Sequence, residues 1–269
     1  MLISVIITTY NSPEFLNKSL ESFLTQKDKN FEIVIADDGS TSDTKELINK
    51  YNSKLKISHA WHEDSGFRAA KIRNEAVKIS SGEYLIFIDG DCMAFNDFIK
   101  KHREISENGF FARGNRVMLS NSFSSRIINS DENINLINVR KFIKLRIKKD
   151  LNRILPLLRI NNYPLRKTKL KKWKGAKTCN LGVWKKDFLH INGFDESYVG
   201  WGREDSDLVV RLINSNIFRK EAIFSTGLFH LKHEINSREN FSKNDKLLKE
   251  AISKNKTYIN NGYKKNGSI

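Results

Sequence analysis

Four short β-branched apolar runs punctuate the start of the chain: "LISVIITT" (2–9), "FEIVIAD" (31–37), "LKISHAW" (55–61) and "EYLIFID" (83–89). Runs this short and uninterrupted mark strands covered on both faces. Between them the apolar spacing widens to the helical period. In "SPEFLNKSLESFLTQ", Ser12 stands at the N-cap, Pro13 at the first helical position, and Phe15, Leu16, Leu20, Phe23 and Leu24 recur at helical spacing. "TSDTKELINKYN" and "RAAKIRNEAVKIS" follow the same logic, the second stopped by Ser81-Gly82. Strand–helix alternation predicts an α/β fold, a mostly parallel central sheet flanked by helices. Ligands of such sheets bind beyond the carboxyl ends of the strands. Those places carry Thr8-Thr9-Tyr10-Asn11, Asp37-Asp38-Gly39-Ser40 and Asp89-Gly90-Asp91, all of them polar or acidic.

The pattern changes after residue 120. The stretch "KFIKLRIKKDLNRILPLLRI" predicts a loosely amphipathic helix ended by Pro156. Regularity returns with "TCNLGVWKKDFLHINGFDESY", the helical "REDSDLVVRLINSN" and "FSTGLFHLKHEIN"; the polar tail after Asn236 reads as helix to about Ile259. No repeat or low-complexity linker interrupts the chain. It reads as a single domain over 1–269, with a first half (1–120), a basic helical insertion (121–176), a second half (177–235) and a helical tail (236–269).

Charge sharpens this division. Of the formal net charge of +16, residues 140–177 carry +14, from fifteen Lys and Arg against the one acid Asp150. A single basic segment on a near-neutral body points to one local contact with something anionic, not to general coating of nucleic acid. The 39% hydrophobic and 29% charged shares suit a globular protein, and no apolar run reaches membrane-spanning length. "MLISVIITTYN" lacks a basic leader and a cleavage site, so it reads as a first strand rather than a signal peptide. Cys92 and Cys179, alone and far apart, read as reduced thiols of a cytoplasmic protein.

Two acidic clusters offer chemistry. "FIDGDCM" places Asp89 and Asp91 at a strand end, where paired carboxylates suit Mn²⁺ or Mg²⁺, although Asp-Gly-Asp also suits a plain turn. "GWGREDSDL" gathers Glu204, Asp205 and Asp207 at a helix start, where acids serve either as caps or as reactive carboxylates. "IADDGSTSD" is ambiguous by itself, since Asp37 and Asp38 could cap the next helix or hydrogen-bond a base or ribose.

Taken together, "SVIITTYNSPEFLNKSLESFLTQ", "FEIVIADDGSTSDT" and "RNEAVKISSGEYLIFIDGDC" resemble the family-two glycosyltransferases of the GT-A fold, over roughly residues 1 to 105. The resemblance implies a nucleotide-diphosphate sugar donor, usually a UDP-sugar. It places Thr8, Tyr10 and Asp38 around uracil and ribose, and Arg68, Lys71 and Asn74 along the same pocket. Asp89 falls near ribose and diphosphate, with Asp91 as direct metal ligand. "FLHINGFDESYVGWGREDSDLVVRL" is similar to the C-terminal half of β-1,4-galactosyltransferases and bacterial chondroitin-polymerase-type transferases, whose pattern is Gly-Trp-Gly-Gly-Glu-Asp. That likeness puts Trp201 beside donor and acceptor, Glu204 on the acceptor sugar and Asp205 in the role of catalytic base. Arg203 stands where those enzymes usually have Gly, and Asp207 is expected to be a helix-surface acid. His233 matches their metal-binding histidine, and His230 the position of a softer ligand. Asn180 is the candidate for the donor-sugar hydroxyls. His59, His62, His102 and His190 are expected to be structural or surface residues, and Trp61, Trp173 and Trp184 packing residues.

The expected activity is thus a metal-dependent, inverting transfer of a hexose or N-acetylhexosamine to a saccharide or glycolipid acceptor of the lipopolysaccharide or capsule kind. Fifteen cations and an apolar helix face in 140–177 point to a peripheral position on the anionic inner face of the cytoplasmic membrane. A basic nucleic-acid-binding protein and a non-catalytic sugar-nucleotide binder are the competing classes. The acidic strand ends and the confinement of charge to one arm argue against nucleic acid as a partner.

Overall fold

The computed structural model describes residues 1–130, 139–233 and 239–265. The four apolar runs form β1 (Ile3–Thr9), β2 (Phe31–Asp37), β3 (Ile57–Trp61) and β4 (Tyr84–Asp89), which pair in parallel in the order β3-β2-β1-β4. Their period-2 alternation divides one core into two. Ile3, Val5 and Ile7 pack with Leu16, Leu20 and Phe23 of α1 (Pro13–Leu24), while Ile6, Val34 and Phe87 pack with Ile72 and Ala76 of α3 (Ala69–Ile79). All of them are fully buried, and each Val, Leu, Ile or Phe among them contributes about 1.5–3 kcal/mol. Ser12 precedes α1 as expected, but its hydroxyl donates to the Tyr10 carbonyl instead of capping the helix.

Beyond β4 the sheet becomes mixed. β8 (Leu181–Trp184) runs antiparallel to β4 and to β6 (Phe110–Arg113), and β9 (Phe218–Glu221) lies parallel to β6 at the edge. A second, three-stranded sheet joins β5 (Cys92–Ala94), β10 (Leu228–His230) and β7 (Arg116–Met118). Because β5 begins one residue after Asp91, this small sheet carries β10 to the end of β4. Helices α2 (Ser42–Asn49), α4 (Phe98–Ile105), α5 (Asn121–Ile128) and α7 (Lys185–His190) complete the layers, together with α8 (Glu204–Asn214).

The basic segment departs from expectation. In place of one helix reaching Pro156, α6 (Val139–Ile147) stops early, and the chain continues through short 3₁₀ turns at Leu155–Leu157 and Pro164–Lys167. Lys149 turns into the left-handed region (φ 62°), its N–H bonds Arg146 O, and the Asp150 N–H bonds Leu145 O at 2.9 Å. This is a Schellman stop made without glycine. In the tail, α9 spans Phe241–Ser253, shorter than the stretch expected; residues 236–238, where that stretch begins, lie outside the described residues. Of the tryptophans, Trp173 packs partly buried on the core and Trp184 on Tyr84, but Trp61 is exposed and donates to Ser40 O. Among the described residues no helix is long and apolar enough to cross a membrane.

Candidate active site

The carboxyl ends of β1, β2 and β4, the start of α8 and the end of β10 converge on one cavity of about 760 Å³. Thr8, Tyr10, Asp38, Asp89, Asp91, Trp201, Glu204, Asp205, His230 and His233 all line it. Residues from both ends of the chain thus share one space.

At the end of β2, Asp38 is buried and clamped. One carboxylate oxygen accepts the Arg68 backbone N–H at 2.8 Å and the other meets His62 Nε2 at 2.7 Å. His59 meets Asp37 in the same way at 2.9 Å. Tyr10 is exposed, and its hydroxyl donates to Asp64. The ring and the Asp38 carboxylate therefore border the same end of the cavity.

At the end of β4, Asp91 Oδ2 lies 2.7 Å from His233 Nε2 and 3.2 Å from His230 Nε2, and the two imidazole rings stack. His230 Nδ1 sits 2.8 Å from the Leu231 carbonyl. A carbonyl only accepts, so Nδ1 carries the proton and the Nε2 lone pair of a neutral ring faces a carboxylate. Two electron-rich atoms at that distance call for a proton or a metal cation between them. Asp89, Asp91, Cys92 and His230 offer ligand atoms within 4.8 Å of one another. Burial pushes the Cys92 thiol well up, which leaves it protonated and a poor ligand. Two carboxylates with imidazole suit a hard or borderline divalent ion. Burial raises both carboxyls; at Asp91 the two histidines outweigh it and the net shift is down, whereas at Asp89 the Asp91 charge adds to burial and the net shift is up.

At the start of α8, Gly200 (φ 77°), Gly202 (φ 102°) and Arg203 (φ 81°) form a run of left-handed residues that turns the chain into the helix. Glu204 is buried and bonds Arg73. Asp205 is half-buried and opens on the cavity. Burial, then the Glu204 charge, pushes its carboxyl up to about 6. A carboxylate destabilised as an anion is a stronger base than an ordinary surface acid.

A family model described as glycosyl transferase family 2 matches residues 4–152, over half of the chain, and one described as the N-terminal domain of galactosyltransferase matches residues 164–234. The chain belongs to glycosyl transferase family 2. A validoxylamine A glucosyltransferase of Streptomyces hygroscopicus subsp. jinggangensis is 28% identical over 221 residues, covering 78% of this chain and 51% of that protein. An Escherichia coli protein named UDP-Glc:alpha-D-GlcNAc-diphosphoundecaprenol beta-1,3-glucosyltransferase is 33% identical over 146 residues, or 54% of this chain and 57% of that one. The chain spans about half the length of its Streptomyces relative. Among solved structures, Staphylococcus aureus TarS 1–349 in complex with UDP-GlcNAc superposes with a TM-score of 0.61 at 18% identity, over 92% of this chain and 65% of that one. A Pyrobaculum calidifontis mannosyltransferase holding GDP-Man and Mn²⁺ does so with a TM-score of 0.58 at 14% identity, over 86% and 57%. The fold is GT-A-like, and the second half carries a galactosyltransferase-like region.

Against the family pattern, four expected positions fall elsewhere. Asn180 is buried in a cage, its amide donating to the Asn115 and Thr226 carbonyls and its oxygen meeting His102 Nε2 at 3.1 Å. Asn74 is fully buried too, and ties the Phe194 backbone and Glu196 to α3. Both amides face protein, because each saturates backbone groups that burial would otherwise orphan. Arg68 reaches the site through its backbone only, its guanidinium turning to the Glu63 carbonyl. Lys71 lies on α3 outside the cavity lining. Asp207 is no surface acid: it is buried against Arg211 at 2.7 Å, an i,i+4 pair that also holds Ile191 O.

Four cations that the sequence did not single out also line the cavity, Arg73, Arg116, Lys177 and Lys232. Arg73 Nε donates to Thr8 Oγ1 at 2.9 Å, while its terminal nitrogens stand 3.1 Å from Glu204 and 3.6 Å from Asp89. Arg116 on β7 approaches Asp89 from the other side at 3.6 Å. Lys177 lines the cavity near Asp205. The departure at Arg203 also has a partner, since its guanidinium pairs with Asp245 at 2.7 Å and covers the Phe241 ring, against which Trp201 stacks.

Proposed function

We propose that the chain transfers a hexose or N-acetylhexosamine from a UDP-sugar to a saccharide or glycolipid acceptor with inversion, giving a β-linkage. The observation that carries this reading is one cavity bordered by Asp205, a carboxylate raised to about 6, and by Asp91 facing two imidazoles. Tyr10 and the clamped Asp38 receive uracil and ribose at the end of β2. Trp201 borders donor and acceptor. Asp205 takes the proton from the acceptor hydroxyl as that oxygen attacks the anomeric carbon, and the bond from that carbon to the diphosphate breaks with its electron pair going to UDP. Glu204, already bonded to Arg73, orients the acceptor sugar with its remaining acceptor capacity. Arg73 and Arg116 set positive charge beside Asp89, where it favours the departing diphosphate. Asp91, His233 and His230 would hold Mn²⁺ or Mg²⁺, with Asp89 close by; such an ion supplies positive charge to the leaving group. One relative is named for transfer from UDP-Glc to alpha-D-GlcNAc-diphosphoundecaprenol and another as a poly(ribitol-phosphate) beta-N-acetylglucosaminyltransferase, which supports a UDP-sugar donor and a glycolipid or saccharide acceptor. To these the proposal adds an acceptor of the lipopolysaccharide or capsule kind and a peripheral place on the inner face of the membrane.

The deciding experiment pairs donor binding with turnover in Asp205→Asn across a panel of UDP-sugars. Retained metal-dependent binding with turnover lost supports the reading. Turnover at the parent rate removes Asp205 as base, and no binding of any UDP-sugar removes the donor class.

A further inference from the structure

Helix α6 is apolar on two opposite sides. Phe142 and Leu145 point inward, where Phe142 meets Phe95 at 5.7 Å and Phe229 at 5.8 Å. At 100° per residue the face directly opposite them carries Arg140, Ile143, Lys144 and Ile147, spaced i, i+3, i+4, i+7. Ile143 is 46% and Ile147 75% exposed. The outer side of a packed surface helix is ordinarily polar. Here the core already claims one side, so packing among the described residues gives no use for the two isoleucines on the other. Lys141 and Arg146 occupy the flanks, and Lys148 and Lys149 follow at the helix end. Six of the thirteen large apolar side chains exposed among the described residues fall between 143 and 170, within this same basic segment.

We infer that the outer face of α6 docks onto an anionic lipid bilayer, with Ile143 and Ile147 entering the headgroup–acyl boundary and Arg140 and Lys144 meeting lipid phosphates. Apolar side chains alone would fit a protein partner as well. Cations interleaved with them along one helix stripe, with no acid between Val139 and Lys149, match a negatively charged interface instead. The placement has a mechanical consequence. Phe142 and Leu145 pack on β5, β7 and β10, the small sheet that carries His230 and stands beside Asp91. A bilayer holding α6 therefore holds the small-sheet side of the cavity at a set height above the lipid. The inference deepens the reading above, whose glycolipid acceptor it would serve, and rests on it for that role only.

The test is sedimentation of the full chain with vesicles of phosphatidylcholine alone or mixed with phosphatidylglycerol. Binding is expected to the mixed vesicles only. Ile143→Ser with Ile147→Ser should lower the partition coefficient about tenfold or more, and Arg140→Glu with Lys144→Glu at least about twentyfold. These exposed substitutions should leave the melting temperature and UDP-sugar binding in vesicle-free solution unchanged, so loss of donor binding by the parent chain would strike the enzymatic reading and not this one. Equal binding to both vesicle types, mixed-vesicle binding that survives the serine pair, or loss only on reversing Lys171 and Lys172 would each overturn the assignment to α6.

Discussion

Arg73 on α3 donates to Glu204 on α8 across 3.1 Å of space and 131 residues of sequence. The same guanidinium bonds Thr8 at the end of β1 and stands beside Asp89 at the end of β4. One side chain thereby ties the parallel half of the sheet to the helix that carries the proposed base. Both partners of the pair are almost fully buried, so each charge depends on the other.

Arg73→Met should therefore cost more than a surface mutation. It leaves Glu204 buried without its cation, a loss of about 3–5 kcal/mol, readable as a fall in thermal midpoint of roughly 10 °C. Arg73→Lys, which keeps a cation beside Glu204, should recover part of the loss. A deficit equally large in the lysine variant would place the effect in packing instead.

Asp205 sets the expected pH profile. With its carboxyl raised from 3.8 to about 6 by burial and by Glu204, the proposed base is mostly neutral at pH 5 and mostly ionised at pH 7. Turnover should climb with pH through about 6 and then level. Stability should move the other way. The unfolded carboxyl ionises near 3.8 and the folded one near 6, so the contribution of this group is full below 3.8 and is lost as pH rises through 6. Glu204→Gln removes the neighbouring charge and should shift the acid limb downward; a limb that stays put would separate the two carboxyls.

Asp91→Asn keeps the size of the side chain and removes the charge that His230 and His233 face. Mn²⁺ affinity, followed by calorimetry, should fall by at least about a hundredfold. The protein should remain folded, since an amide N–H can donate to the neutral His230 Nε2. Undiminished Mn²⁺ binding would move the ion elsewhere.

Asn180→Ala should separate structure from substrate contact. The amide's three partners are all buried, and orphaning them costs about 1–3 kcal/mol each. Stability should drop while donor affinity at low temperature holds. A large fall in donor affinity with an unchanged melting curve would restore the sugar-contact role.

Much of the fold was legible because strands buried on both faces cannot hide: Val5, Ile6 and Ile7, and Tyr84 through Ile88, are apolar at consecutive positions, so both faces of each strand are covered. The acidic ends of β2 and β4 were legible for the same reason, since a carboxylate after such a run sits where the sheet stops. Arg73 was not, because a cation in "RAAKIRNEAVKIS" reads as a solvated helix face. The signal was its phase, which places Arg73 among the buried Ala69, Ala70, Ile72, Ala76 and Val77. Asn180 and Asn74 misled in the opposite sense: an amide near a site suits a ligand and a buried carbonyl equally, and only packing distinguishes them. The early end of α6 rests on Lys149 adopting a conformation that glycine or asparagine usually marks.

Trp201 rests face to face on Phe241, and Asn244 donates to the Val199 and Gly202 carbonyls on either side of it. All of α9 lies beyond residue 234, where the second family match ends. A chain cut at that boundary would keep Glu204, Asp205, Asp91 and both cavity histidines, yet lose the rear support of the turn that presents the indole. Such a truncation would keep those carboxylates and histidines but leave the Trp201 turn without its backing, so recombinant boundaries drawn from the family matches alone would omit part of the cavity wall.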